Sequence, residues 1–177
     1  MLFLICALPL HIWTLFLGFR DFDWVTARTN SWDAVGVISY GLIFTFFESV
    51  IIFIITTLLG FLLSRKWDEI KRITLLGAMV IILSLWSILN QIYFIRNMQL
   101  SESLSAFYIS TGRPLVALYL TALLLVSISI AVPTYAILVF KKVEKAIWEG
   151  FDRFSTLMIL YLIFDIAALT IIVIRNL

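Results

Sequence analysis

Five long apolar runs decide what this chain can fold into: residues 2–19, 34–63, 73–94, 115–140 and 154–174. A helix rising 1.5 Å per residue needs about 20 apolar residues to cross a hydrocarbon core of roughly 30 Å. The expected fold is therefore all-α, a polytopic membrane protein. It is a bundle of five transmembrane helices forming a single domain over residues 1–177. The first run is short and contains Pro9, and the second is long enough to tilt or to protrude. Composition agrees, since 63% of residues are hydrophobic and 14% charged, where a soluble domain is about one-quarter charged. No connection is long enough to hold a soluble catalytic module. No Lys or Arg precedes the first run, so it reads as a retained span rather than a cleaved leader.

The connections carry the topology. Arg65, Lys66, Lys71 and Arg72 occupy the second, and Lys141, Lys142, Lys145 and Arg153 the fourth. The first and third contain arginines only: Arg20 and Arg28, then Arg96 and Arg113. Basic residues concentrate on the cytoplasmic side of a membrane. This pattern places the N-terminus inside and the C-terminus outside, in a plasma or inner membrane. It is a topology signal and not a nucleic-acid footprint. Lys141, Lys142 and Lys145 also suit contact with anionic headgroups. Ser31 or Asp33 is positioned to cap the second helix, and Pro114 to open the fourth. Trp24, Trp32, Trp67 and Trp148 fall at the expected interfaces.

Polar groups inside the runs are few. Glu48 lies near the middle of the second, and a carboxylate at bilayer depth needs a partner or a task. Counted from the cytoplasmic ends, His11 and Asp165 lie roughly 15 Å deep and Glu48 and Gln91 roughly 25 Å. Gly41, Thr45, Glu48, Ser49, Thr56 and Gly60 share about a third of one helix surface. That face admits a close neighbour. Gly77, Ser84, Ser87 and Gln91 make a matching stripe on the third run, and Ser127, Ala131 and Thr134 another on the fourth. Asn90 and Gln91 are expected to bond between helices. Pro9 and Pro133 each leave a carbonyl without its helical donor, so both are candidate hinges. No Lys or Arg lies inside a run. Glu48 is thus expected to carry a proton, to share one with His11 or Asp165, or to meet a partner on another molecule.

Sequence motifs exclude more than they assign. One cysteine, Cys6, and one histidine, His11, rule out an internal disulfide and the usual Cys/His metal sites. There is no G-x-S-x-G, H-E-x-x-H, Walker A or C-x-x-C motif. Haem, quinone or pigment would need ligands supplied by a partner. The leading expectation is a non-catalytic accessory or scaffold subunit of a larger membrane complex, partnered by other membrane subunits or by its own copies. The alternative is a proton- or cation-coupled transporter that uses Glu48 and Asp165 as proton-binding groups.

Overall fold

A computed structural model describes residues 1–64 and 66–177, with side chains at all of these except 94 and 156–158. Arg65 thus lies outside the described residues. The elements are α1 (Leu2–Thr26), α2 (Ser31–Leu62), α3 (Glu69–Ile95), a short α4 (Glu102–Ser110), α5 (Pro114–Val139) and α6 (Lys141–Asn176). Five of these helices are long and apolar enough to cross a membrane, one for each apolar run. No strand occurs among the described residues.

The helices outrun the apolar stretches. Residues 141–153, expected as a connection, form the first third of α6, and only Phe140 separates it from α5. Val143, Ile147, Trp148 and Phe151 recur at helical spacing and are half-buried. Lys141, Lys142, Lys145, Glu149 and Asp152 stand exposed on the other side. The 3.6-residue period runs unbroken through the charged segment. Likewise α1 continues past Phe19, through Arg20, Asp21 and Asp23, to Thr26. Charge marks where a hydrocarbon core ends, not where a helix ends.

The helix starts are capped locally. The cap of α2 is Asn30 rather than Ser31 or Asp33. Asn30 Oδ1 accepts the Asp33 N–H at 2.9 Å, and its amide donates to the Asp33 carboxylate at 2.8 Å. Asp33 stays in the first turn, where a negative charge suits the helix dipole. Pro114 stands at the start of α5 as expected.

The first helix is the hub. It packs along α2 and also touches α3 and α6, whereas among the described residues α5 touches only α3, α6 and the short α4. The apolar core follows that plan: Ile5, Cys6 and Ala7 of α1 are buried, as are Ala34 and Leu42 of α2, Leu75, Leu76 and Val80 of α3, Ile137 of α5 and Ala168 of α6. Gly77 is where three helices converge. A Cβ there would stand 2.9 Å from the Phe151 ring and 3.1 Å from Ile5 Cδ1. The absence of a side chain lets α1, α3 and α6 close on one another.

Both ends are fastened by cations. At one end, the Arg175 guanidinium donates to the Trp32 carbonyl at 2.6 Å and the Asp33 carboxylate at 2.8 Å. It lies over Gly36, where a Cβ would stand 2.5 Å from its nitrogen. Asn176 donates to the Tyr40 hydroxyl at 2.9 Å. At the other end, Lys71 Nζ donates to the Leu138 carbonyl at 3.1 Å, in the last turn of α5 where a positive charge is favoured. The start of α2 and the end of α6 therefore share one end of the bundle. The start of α3 and the end of α5 share the other.

Candidate functional site

Only one pair of ionisable side chains meets in the interior among the described residues. His11, on the hub helix, is fully buried, and Asp165, on α6, is 6% exposed. The His11 Nε2 lies 3.0 and 3.1 Å from the two Asp165 carboxylate oxygens. The Nδ1 lies 2.8 Å from the Ala7 carbonyl, one turn earlier on the same helix. Tyr161, one turn before Asp165, places its ring 5.8 Å from the imidazole and tilted at 40°.

The neighbours constrain the protons. A carbonyl oxygen only accepts, so His11 Nδ1 carries a hydrogen and donates it to Ala7. The contact between Nε2 and the carboxyl group then holds one proton. Either it sits on Nε2 beside a carboxylate, or it sits on the carboxyl group and is donated to a neutral Nε2. Both arrangements are neutral overall. With no proton, a nitrogen lone pair would face a carboxylate; with two, an imidazolium would stand beside a neutral acid and leave an unbalanced charge in the interior. The geometry is a one-proton pocket. It also leaves no free nitrogen lone pair on His11 for axial ligation of a haem iron.

Around this pair the α1–α2 seam is polar but bonded. Thr14 and Thr45 hydroxyls lie 2.6 Å apart across the two helices. Ser49 Oγ donates to the Thr45 carbonyl at 2.7 Å, and Ser39 Oγ to the Val35 carbonyl at 2.9 Å. Cys6 Sγ stands 4.0 Å from Thr56 Oγ1, so the thiol is a buried packing group.

Glu48 is elsewhere. Thr45, Ser49 and Thr56 are buried, but Glu48 is exposed on the outside of the bundle. At 100° per residue it sits roughly 80° from the centre of the packed face. It therefore leaves the stripe it was grouped with and joins Tyr40, Phe44, Phe47 and Ile51, all exposed. Among the described residues it makes no hydrogen bond or ion pair, and it does not share the proton held by His11 and Asp165.

The remaining candidates divide. Gln91 Oε1 accepts from Trp13 Nε1, joining α3 to α1. Asn90 is exposed and bonds to nothing among the described residues. Pro9 is buried within α1, and Pro133 lies inside a continuous α5. The Ser127, Ala131 and Thr134 side of α5 is not a packed face, because Ser127 and Ala131 are exposed. Instead Ser129, off that stripe, accepts from Trp86 Nε1 at 2.8 Å. Of the basic residues, Lys71 holds the end of α5. Lys145 pairs with Glu149 at 3.7 Å, Arg72 is half-buried, and Lys66, Lys141 and Lys142 are exposed.

Sequence reading missed the Thr14–Thr45 bridge, both tryptophan donors and the Arg175 clamp. Trp13 and Trp86 sit within apolar runs, and an indole N–H there needs an acceptor. That was the available signal. No protein-family model, curated protein or solved structure matches this chain.

Proposed function

We propose that this chain is a small multi-pass membrane subunit without catalytic activity that docks into a larger assembly through the outer face of α2. Glu48 carries the reading. It lies roughly 26 Å along α2 from Ser31 and roughly 21 Å from Leu62, exposed and unpartnered on an aromatic and aliphatic stripe. A carboxylate presented to lipid at that depth costs about 3 kcal/mol by insertion scales. A neighbouring transmembrane helix that offers a cation or a hydrogen-bond donor removes the cost. A second copy of this chain has no intramembrane Lys or Arg to offer, so the favoured occupant is a different subunit. The lysines at one end of the bundle and the arginines at the other support an inward N-terminus and an outward C-terminus.

Mild-detergent purification from native membranes, followed by mass measurement, tests this reading. The wild-type chain is expected to travel with a second subunit, and Glu48→Leu to release it while keeping the same melting profile. A wild-type chain that purifies alone, or a Glu48→Leu variant that keeps its partner, overturns the assignment.

One observation favours a second reading. The one-proton His11–Asp165 pocket joins the hub helix to α6, as a proton-coupled carrier requires. Asp165→Asn then abolishes proton-linked flux in liposomes without altering assembly. Equal flux in wild type and variant removes this alternative.

A further inference from the structure

Among the described cations, Arg72 alone is both partly buried and without a partner. Arg20 and Arg175 pair with carboxylates, Arg28 and Lys71 donate to carbonyls, and Lys145 meets Glu149. Lys66, Arg96, Arg113, Lys141, Lys142 and Arg153 are exposed. By contrast, Arg72 Nε is covered and has no acceptor. The other buried polar atoms lacking a partner among the described residues are neutral hydroxyls, those of Thr26, Thr57 and Thr74. An unmade bond costs a charged donor more than a neutral one.

The ordinary partners are close in sequence and are not used. Asp68 and Glu69 precede Arg72 by four and three residues, the spacings at which a helix pairs a carboxylate with a guanidinium. Asp68 Oδ1 instead accepts the Lys71 N–H at 3.1 Å. Glu69 is exposed and forms no ion pair among the described residues. Arg72 borders a hollow of about 380 Å³ whose other walls are Gly60, Phe61 and Leu63, where α2 ends. A Cβ on Gly60 would stand 3.1 Å from Leu76, so α2 and α3 close on each other there. Beside the hollow, Phe61 and Leu62 are 74% and 82% exposed. This is the end of the apolar run, at the end of the bundle that carries the lysines.

We propose that Arg72 and this hollow bind the phosphate of an anionic phospholipid, whose acyl chains lie along Phe61 and Leu62. A guanidinium offers a planar fork of N–H donors that matches two phosphate oxygens. One net negative charge balances it. A lipid supplies both halves of the site at once, phosphate for the cation and hydrocarbon for its flank. Gly60 lies roughly 18 Å along α2 from Glu48, and the proposal does not depend on the docking of that residue.

Native mass spectrometry of the full chain in mild detergent with added phosphatidylglycerol tests the assignment. The wild-type chain is expected to retain one lipid. Arg72→Gln should weaken retention about tenfold or more, the effect of losing hydrogen bonds to a charged group. Arg72→Lys should fall between the two, since a point charge replaces the fork. Arg153→Gln removes the same charge from an exposed position and should leave retention unchanged. If Arg72→Gln does not fold, Leu63→Trp narrows the hollow and should give the same loss. A wild-type chain that retains no phosphatidylglycerol overturns the proposal and leaves the guanidinium to a carboxylate of another subunit. Displacement of the lipid by inorganic phosphate also overturns it, because the ligand is then a free anion. So does an equal loss in Arg153→Gln, or undiminished retention in folded Arg72→Gln.

Discussion

The α1–α2–α6 side and α5 are built from equally apolar helices, yet they behave as different materials. The first side buries His11, Asp165, Thr45, Ser49 and Thr56, closes over Gly77 and is bonded from helix to helix. By contrast, α5 buries Ile137 alone and is held by Trp86 on its flank and Lys71 at its end. Apolarity cannot make this difference, because lipid tails are as apolar as leucine. Small residues that let backbones approach, and polar groups that need each other, select the inner helices. A span lacking both stays at the edge.

That contrast can be broken at several points, taken from the largest expected effect. Asp165→Leu leaves the His11 Nε2 unpaired in the interior and should destabilise the folded chain by about 3–5 kcal/mol, read as a loss of thermal stability in detergent. Asp165→Asn should cost only about 1 kcal/mol, because an amide N–H can donate to the neutral Nε2. Equal losses in the two variants would mean that the site tolerates no change at all, rather than needing one donor. Next, Gly77→Val drives a side chain into Phe151 and Ile5, for an expected cost of about 1–3 kcal/mol. The same measurement checks it.

A double-mutant cycle of Thr14→Val and Thr45→Val should give a coupling of about 0.6 kcal/mol and no more than about 1.7. A coupling of zero would show that these hydroxyls are satisfied separately. Smallest of all, Ser127→Leu on α5 should fall within about 0.5 kcal/mol of wild type. A large loss there would erase the distinction between the two sides.

Much of this architecture was legible in the residues. Five apolar runs became five long helices, because length and composition are properties of each segment alone. Similar depth for His11 and Asp165 was also readable, since rise per residue is fixed. Their meeting was not, because depth says nothing about rotation around the helix axis. Glu48 shows the same limit from the other side. It shares a depth and part of a face with Thr45 and Ser49, but a rotation of under a quarter turn separates a packed position from an exposed one. The charged start of α6 was misread because charge density outweighed a helical period that persists beneath it.

The central pair also sets an order of events. Its members are 154 positions apart, on the first and the last of the five long helices. During synthesis α1 enters its surroundings with an imidazole that has no carboxyl partner, and it waits while the intervening helices are made. Until α6 arrives, α1 and α2 have their threonine bridge but not the shared proton. The polar interior therefore closes only with α6, and a chain cut short before Asp165 keeps a histidine at its hub whose Nε2 has no carboxyl partner. Arrival of α6 and closure of the polar interior are one step.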